Sequence, residues 1–369
     1  MTGVVSGRPA PRLIAVGTAV PDHTVTQAEV RALVERLFSG TDAGSARLMR
    51  VFDHSGISTR HLCMPIAWYE TPRSFAEQNA LYVTHALRLA IAAAAQALER
   101  CGLFAADIDH IVVVSTTGIA TPSLDARVAL ALGCREDVRR TPVWGLGCAG
   151  GAAGLARARD FGLADPTARV LLVAVELCSL TFRPEDRDKR NLIATSLFAD
   201  GAAAVIVQGG SAPAPPSRAS DPIELLGSHS TLWPDTLGVM GWTVSTRGLH
   251  VVFSRDIPSI VRERVRPALE PWLAKHGLTL ADVPHLASHP GGAKVLAAYA
   301  EALGRESAAF SDTYEILRTH GNMSSPTCLF VLERMLTRRA IAVGEHVLFS
   351  ALGPGFAAEY VLARGASWA

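Results

Sequence analysis

Cys148 has the surroundings that say most about chemistry in this chain. It stands in Trp144-Gly145-Leu146-Gly147-Cys148-Ala149-Gly150-Gly151-Ala152-Ala153-Gly154, between a short apolar strand end (142–144) and a helical stretch (149–161). That pattern places the sulfur at or just before a helix N-terminus. Free backbone N–H groups and the positive end of the helix dipole there favour thiolate over thiol. The flanking glycines permit a sharp turn and leave room for a substrate beside the sulfur. The competing reading is a small buried apolar cysteine, the usual fate of this residue type.

A cysteine nucleophile needs a base or a cationic partner and a site for an oxyanion. Among twelve histidines, His289 stands out: it ends a short strand in Ser288-His289-Pro290-Gly291-Gly292, just before a helix. Catalytic groups of α/β folds gather at such turns, although a histidine can also simply close one. A third turn, His320-Gly321-Asn322-Met323-Ser324-Ser325-Pro326-Thr327, again precedes an apolar helix. Asn322 could donate an amide N–H to a developing oxyanion; alternatively, Asn322 and the serines, Ser324 among them, only cap the helix. Three glycine-containing turns that present Cys, His and Asn before helices suit activation of a thiolate and binding of a thioester oxyanion.

The elements that must carry these turns alternate. Residues 13–16, 111–115, 169–176, 202–208, 251–253, 285–288 and 347–352 read as strands, the last of these being the final strand of the chain. Helical patterns fall at 26–38 (with Thr26 as N-cap), 43–54, 75–101, 124–132, 257–275, 292–303 and 327–336. Their order predicts a layered α/β fold, with a similar succession in the two halves but no clear sequence repeat. Pro213, Pro215 and Pro216 mark 211–222 as a linker between residues 1–210, which carry the cysteine, and 223–369, which carry the histidine and asparagine. With 49% hydrophobic and 19% charged residues the chain can bury a large core. The balance of 35 Lys and Arg against 34 Asp and Glu, with no basic block, argues against a nucleic-acid partner. Six cysteines without paired spacing indicate neither a metal site nor a disulfide framework, so a reducing, cytoplasmic setting is expected. No apolar run is read as crossing a membrane; the alanine-rich stretch 91–98 reads as a packed helix.

The segments around Cys148, Leu197-Phe198-Ala199-Asp200-Gly201-Ala202, His289 and Asn322 resemble those of type III polyketide synthases, the chalcone synthase-like branch of the thiolase superfamily, in order and spacing over residues 13–362. The resemblance implies a thiolase fold of duplicated βαβαβ halves in αβαβα layers. It implies an acyltransferase with no bound cofactor, fed by an acyl-CoA starter and malonyl-CoA without a carrier protein, and working as a homodimer. Cys148, paired with His289, would hold the acyl chain; His289 and Asn322 would stabilise the enolate formed when malonyl-CoA loses CO2. Phe198 corresponds to a gatekeeper beside the cysteine, though plain core packing also fits it. Arg47, Arg50 and His54, at spacings of three and four, match basic positions for CoA phosphates; by themselves they read as a solvated helical face. Ala351-Leu352-Gly353-Pro354-Gly355 is similar to the family's cyclisation-pocket loop.

Several cavity positions depart from the plant members. Val251 aligns with a second gatekeeper phenylalanine, Cys178 replaces a threonine, Trp242 replaces a glycine, Thr181 is retained, Ser324 stays with the asparagine turn, and Thr121 occupies the position extended across a dimer interface. Loss of a ring at Val251 would open space for an aliphatic chain, which points to a bacterial synthase of alkylpyrones or alkylresorcinols primed by a fatty acyl group. The alternatives are a tetrahydroxynaphthalene-type synthase that uses malonyl-CoA alone, a ketoacyl synthase III of fatty-acid synthesis, and a catalytically silent scaffold.

Overall fold

The computed structural model describes residues 9–38, 44–218 and 220–368, with backbone only for 44–48. In chain order the elements are β1 (Arg12–Ala19), β2 (His23–Thr26), α1 (Gln27–Leu37), α2 (Gly44–Asp53), β3 (Thr59–Leu62), α3 (Phe75–Cys101), β4 (His110–Val114), α4 (Leu124–Leu132), β5 (Arg139–Val143), α5 (Gly150–Ala164), β6 (Arg169–Leu177), α6 (Lys189–Leu197) and β7 (Asp200–Gln208). There follow β8 (Ile223–Leu232), β9 (Met240–Ser245), β10 (Gly248–Phe253), α7 (Ile257–Ala274), β11 (His285–Ser288), α8 (Ala293–Leu303), α9 (Ser311–His320), α10 (Thr327–Thr337), β12 (His346–Gly353) and β13 (Ala357–Gly365).

One nine-stranded sheet runs β11-β12-β13-β8-β1-β7-β6-β4-β5. The halves meet where β1 pairs with β8, at Arg12–Glu224 and Leu13–Ile223. Each residue of β7 is buried, as expected of a continuous apolar strand covered on both faces. On one outer face lies α3, started by a Ser74–Glu77 capping box and stopped by Gly102 in the left-handed conformation. By length and composition α3 could cross a membrane, but its alanine face (Ala86, Ala90, Ala93, Ala94, Ala97) packs against the sheet as a core helix. An added Cβ at Gly17 would stand 2.2 Å from the Ala93 carbonyl oxygen, so glycine sets this close approach. On the other outer face α7 and α8 bury Val261, Leu269, Ala298 and Leu303 against β12 and β13. Between the two wings of the sheet, α5 and α10 share one core with strands of both halves. The layers are therefore α, β, α, β, α, and the cysteine and asparagine turns lead into the two central helices.

One strand expectation needs correction, and one strand lies where none was expected. The strand at 347–352 is not the last: β12 continues through a turn into β13, antiparallel along its whole length. β8 was not visible in the sequence, because His229, Ser228 and Ser230 break its apolar pattern; backbone pairing to β13 holds it in place.

Candidate active site

The cysteine turn is a single 3-10 turn, Gly147–Ala149, that runs into α5. Gly145 (φ 95°) and Gly147 (φ 47°) have left-handed backbones that a side chain would strain. The Gly147 N–H donates to the Thr116 hydroxyl at 3.1 Å, which ties the turn to the end of β4. Farther along, an added Cβ at Gly151 would stand 2.2 Å from the Ser325 carbonyl oxygen. Only glycine lets α5 approach the asparagine turn so closely.

His289 follows β11, and its backbone N–H donates to the Ser350 carbonyl at 2.7 Å. Both of its ring nitrogens are buried and have no hydrogen-bond partner among the described residues. Asn322 is fixed from both sides: its N–H donates to Leu197 O and its carbonyl accepts from Ala199 N, each at 2.9 Å, bracketing Phe198. Its side-chain oxygen accepts from Ser324 N at 2.8 Å, which leaves the amide NH2, 3.4 Å from Gly291 O, to face the cavity. Cys148, His289 and Asn322 line one cavity of about 620 Å³, with Leu352 and Phe253 in its apolar wall.

The electrostatics differ from the thiolate expected at a helix start. Burial pushes the Cys148 thiol up to about 11; the Ser324 hydroxyl pulls the other way, the Glu176 carboxylate adds to the rise, and the Asn322 amide opposes it. The thiol is 7% exposed, and loss of water outweighs the dipole of the turn. Burial likewise draws His289 down to about 3, so its resting form is the neutral imidazole. Neither group charges easily alone, but as a thiolate and an imidazolium each would be the other's counter-ion.

Two groups escaped the sequence reading. Glu176, in the apolar strand β6, accepts from Thr116 N, Thr117 N and the Thr117 hydroxyl (2.8–2.9 Å) and from the Ser325 hydroxyl at 2.9 Å. It joins the end of β4 to the asparagine turn, and burial lifts it to about 7. A lone carboxylate in so apolar a run was the available clue. Arg60, 1% exposed, donates to the carbonyls of Thr195, Ser196 and Phe198 and to the Gln27 side chain. It thereby holds the end of α6, from which Phe198 and the Asn322 pairing hang.

The remaining sequence candidates divide. Phe198, Val251, Thr181, Cys178 and Trp242 do not line the cavity of Cys148; they line a second chamber of about 180 Å³ beside it. Phe198 stands in the partition, its ring 5.9 Å from Trp242 and 5.8 Å from Phe253. The β9–β10 hairpin explains the split. Val251 pairs with Trp242 and Phe253 with Met240, so successive pairs on one face reach successive chambers. Ser324 (φ 59°) lies against Cys148 but lines neither chamber. Thr121 is exposed, precedes a cis Pro122 and lines neither chamber in this single chain. Arg50 and His54 lie at the mouth of the larger cavity, with His54 in the turn after α2 rather than on the helix; the Arg47 side chain lies outside the described residues.

The layered fold, together with a thiol, an imidazole and a carboxamide converging from three turns, defines an acyltransferase of the thiolase type. Residues 4–213 match the N-terminal domain and residues 224–367 the C-terminal domain of the chalcone and stilbene synthases. The chain belongs to this family, the type III polyketide synthases. It is 43% identical over 350 residues to a 1,3,6,8-tetrahydroxynaphthalene synthase of Streptomyces peucetius subsp. caesius, covering 95% of this chain and 92% of that protein. It is 38% identical over 355 residues to a putative chalcone synthase of Bacillus subtilis (strain 168), covering 95% and 97%. The crystal structure of the tetrahydroxynaphthalene synthase of Streptomyces coelicolor A3(2) superposes with a TM-score of 0.90 at 30% identity, covering 97% of this chain and 100% of that one.

Proposed function

We propose that this enzyme loads an aliphatic acyl group from a CoA thioester onto Cys148, extends it with malonyl-CoA and cyclises the chain to a pyrone or resorcinol. In loading, the Cys148 proton passes to His289 as sulfur attacks the thioester carbonyl; the departing CoA thiolate takes that proton, leaving an acyl-cysteine and a neutral imidazole. In extension, the malonyl C–C bond to the carboxylate breaks, CO2 leaves, and the electron pair enters the thioester as an enolate. His289 and Asn322 donate N–H to the enolate oxygen. The carbanion then attacks the acyl-cysteine, a C–C bond forms, and the Cys148 thiolate leaves and takes up a proton from solvent, replacing the one that left with the CoA thiol. Burial that keeps His289 neutral suits it to donate in this step. No carrier protein and no bound cofactor enter this scheme.

The observation that carries the reading is the convergence of Cys148, His289 with two unpaired ring nitrogens, and the Asn322 amide on one cavity. The aliphatic starter is supported by Val251, which leaves the second chamber open where a ring would fill it. A second reading, synthesis from malonyl-CoA alone, is favoured by the 43% identity to a tetrahydroxynaphthalene synthase. Mass analysis of products from malonyl-CoA alone and with acyl-CoA starters of increasing length separates the two. A product that carries the starter's alkyl chain supports the first; a product from malonyl-CoA alone, indifferent to added starter, sinks it. Val251→Phe should shorten the preferred starter. We further propose a homodimer: β5 is one of the two edge strands of the sheet, and exposed Ile119 and Trp144 flank it. Sedimentation as a monomer at working concentration would exclude this.

A further inference from the structure

A row of hydroxyls interrupts an otherwise apolar layer. Ser288 closes β11, Ser350 lies opposite it on β12, and Tyr360 lies opposite Ser350 on β13, so the three stand side by side across the sheet. Two positions to either side, the same face carries Leu286, Leu348, Leu352, Ala358 and Leu362, all in the core beneath α7 and α8. Tyr299 meets the row from α8, where its hydroxyl neighbours those of Ser350 and Tyr360. All four residues are buried, Tyr299 the least so at 4% exposed.

Their protons exceed their partners. The two serines share one hydrogen bond, Oγ to Oγ at 2.8 Å. The hydroxyls of Tyr299 and Tyr360 make no well-formed hydrogen bond among the described residues. A buried hydroxyl without a partner is destabilising, so apolar side chains of the same shape would suit this layer better. Burial pushes the Tyr299 phenol up to about 12, against the pull of Ser350 and Tyr360, so it remains a donor at neutral pH. The row also borders the catalytic cavity: Ser288, Ser350 and Tyr299 line the space that holds Cys148. Ser288 directly precedes His289, and the Ser350 carbonyl accepts the His289 N–H at 2.7 Å. No charged side chain belongs to the row, so the ligand it fits is a neutral acceptor. A saturated acyl chain offers it nothing. A chain extended by malonyl units carries a keto oxygen on every second carbon beyond its thioester.

We propose that Tyr299 and Ser350, backed by Ser288 and Tyr360, form a subsite for a keto oxygen of the extended chain. The enzyme then holds a β-ketoacyl group in preference to a saturated one of the same length. The proposal rests on the synthase reading above and deepens it, because the subsite would keep a partly extended chain in place for the next condensation.

The test compares acetoacetyl-CoA with butyryl-CoA, four-carbon esters that differ only in the keto oxygen. Binding is titrated in full-length Cys148→Ala protein, where no acyl transfer intervenes, and in the same background with Tyr299→Phe, with Ser350→Ala and with both. At about fivefold per neutral hydrogen bond, acetoacetyl-CoA should bind roughly 25-fold more tightly than butyryl-CoA. Either single change should reduce that ratio to about fivefold, and the double change should abolish it. A folding defect weakens both ligands and leaves the ratio alone. Urea unfolding supplies a second readout: the midpoint of Tyr299→Phe should hold or rise, because the hydroxyl it loses has no partner. An unchanged ratio in the double variant overturns the proposal, as does equal affinity for the two esters in the Cys148→Ala protein. A purely structural hydroxyl would lower the midpoint and leave the ratio unchanged, which also overturns it. If the ratio falls as expected while the protein with Cys148 intact condenses no thioester, the subsite stands and the synthase reading fails instead.

Discussion

Replacing His289 by Gln tests whether the imidazole is what makes Cys148 reactive. Glutamine keeps much of the volume and the polarity but cannot hold a proton as a cation. In the buried cavity, beside a neutral His289, the thiol is driven from 9.0 to about 11, a penalty on the thiolate of roughly 2.7 kcal/mol, and a glutamine in place of the histidine would leave that penalty in place. At pH 7 a thiol of that pKa is ionised about 100-fold less than an unperturbed one. The more basic thiolate is a better nucleophile, and with a Brønsted slope of about 0.45 this returns roughly eightfold. Cys148 in His289→Gln should therefore react with iodoacetamide about tenfold more slowly than a free thiol at pH 7. Its rate should climb tenfold per pH unit to about pH 10. If the imidazole of the unmodified enzyme accepts the thiol proton, as proposed, the profile should level off at lower pH. Peptide mapping must confine the measurement to Cys148, since Cys63, Cys101, Cys178 and Cys328 are buried free thiols and Cys134 is partly exposed. Superimposed profiles for the two proteins would refute the reasoning. Thiolate stabilisation would then belong to Ser324, Asn322 and the turn itself.

Other perturbations follow from the same geometry. Asn322→Ala removes a donor to the enolate oxygen and should lower the decarboxylation rate about 10²–10³-fold, while intact-mass analysis still finds acyl-loaded Cys148; equal loss of loading and decarboxylation would contradict this. Arg60→Met strands the carbonyls of Thr195, Ser196 and Phe198. It should cost about 3 kcal/mol in urea unfolding and lower kcat more than it changes KM, with partial rescue by Arg60→Lys; an unaltered kcat in folded protein would deny Arg60 a positioning role. His320 is held down to about 4, chiefly by burial and then by His61. A base depressed on folding stabilises above its unfolded pKa of 6.5 and loses that contribution as pH falls toward 4, by about 2 kcal/mol at pH 5. His320→Asn should shrink the stability difference between pH 7 and pH 5 by that amount, and an unchanged difference would discount the histidine.

What the sequence disclosed and what it withheld divide along a physical line. Cys148, His289 and Asn322 were legible because each sits in a strand-or-turn-to-helix junction, where glycines, a proline and a polar residue are written locally and the geometry needs little else. Both central helices follow from such junctions, so a layered α/β fold could be reached from alternation, while the αβαβα order came with the family resemblance. The chambers could not be read this way. Val251 and Phe253 are two residues apart on one face of β10, yet they serve different spaces, because the partition is made by Phe198 at the end of α6 and Trp242 on β9. That boundary depends on where α6 stops, and α6 is held at its end by Arg60 from a strand more than a hundred residues earlier. The protonation states were also beyond local reading. A helix start predicts a lowered thiol, but the sign at Cys148 is set by how completely the surrounding layers exclude water, a property of the whole packing. The same exclusion leaves His289 neutral, so in the proposed mechanism one desolvated cavity would both make the thiol dependent on the imidazole and fit the imidazole to donate to an enolate. The reactive form of the site is thus a property of the pair in its cavity, and a change that admits water should weaken both roles together.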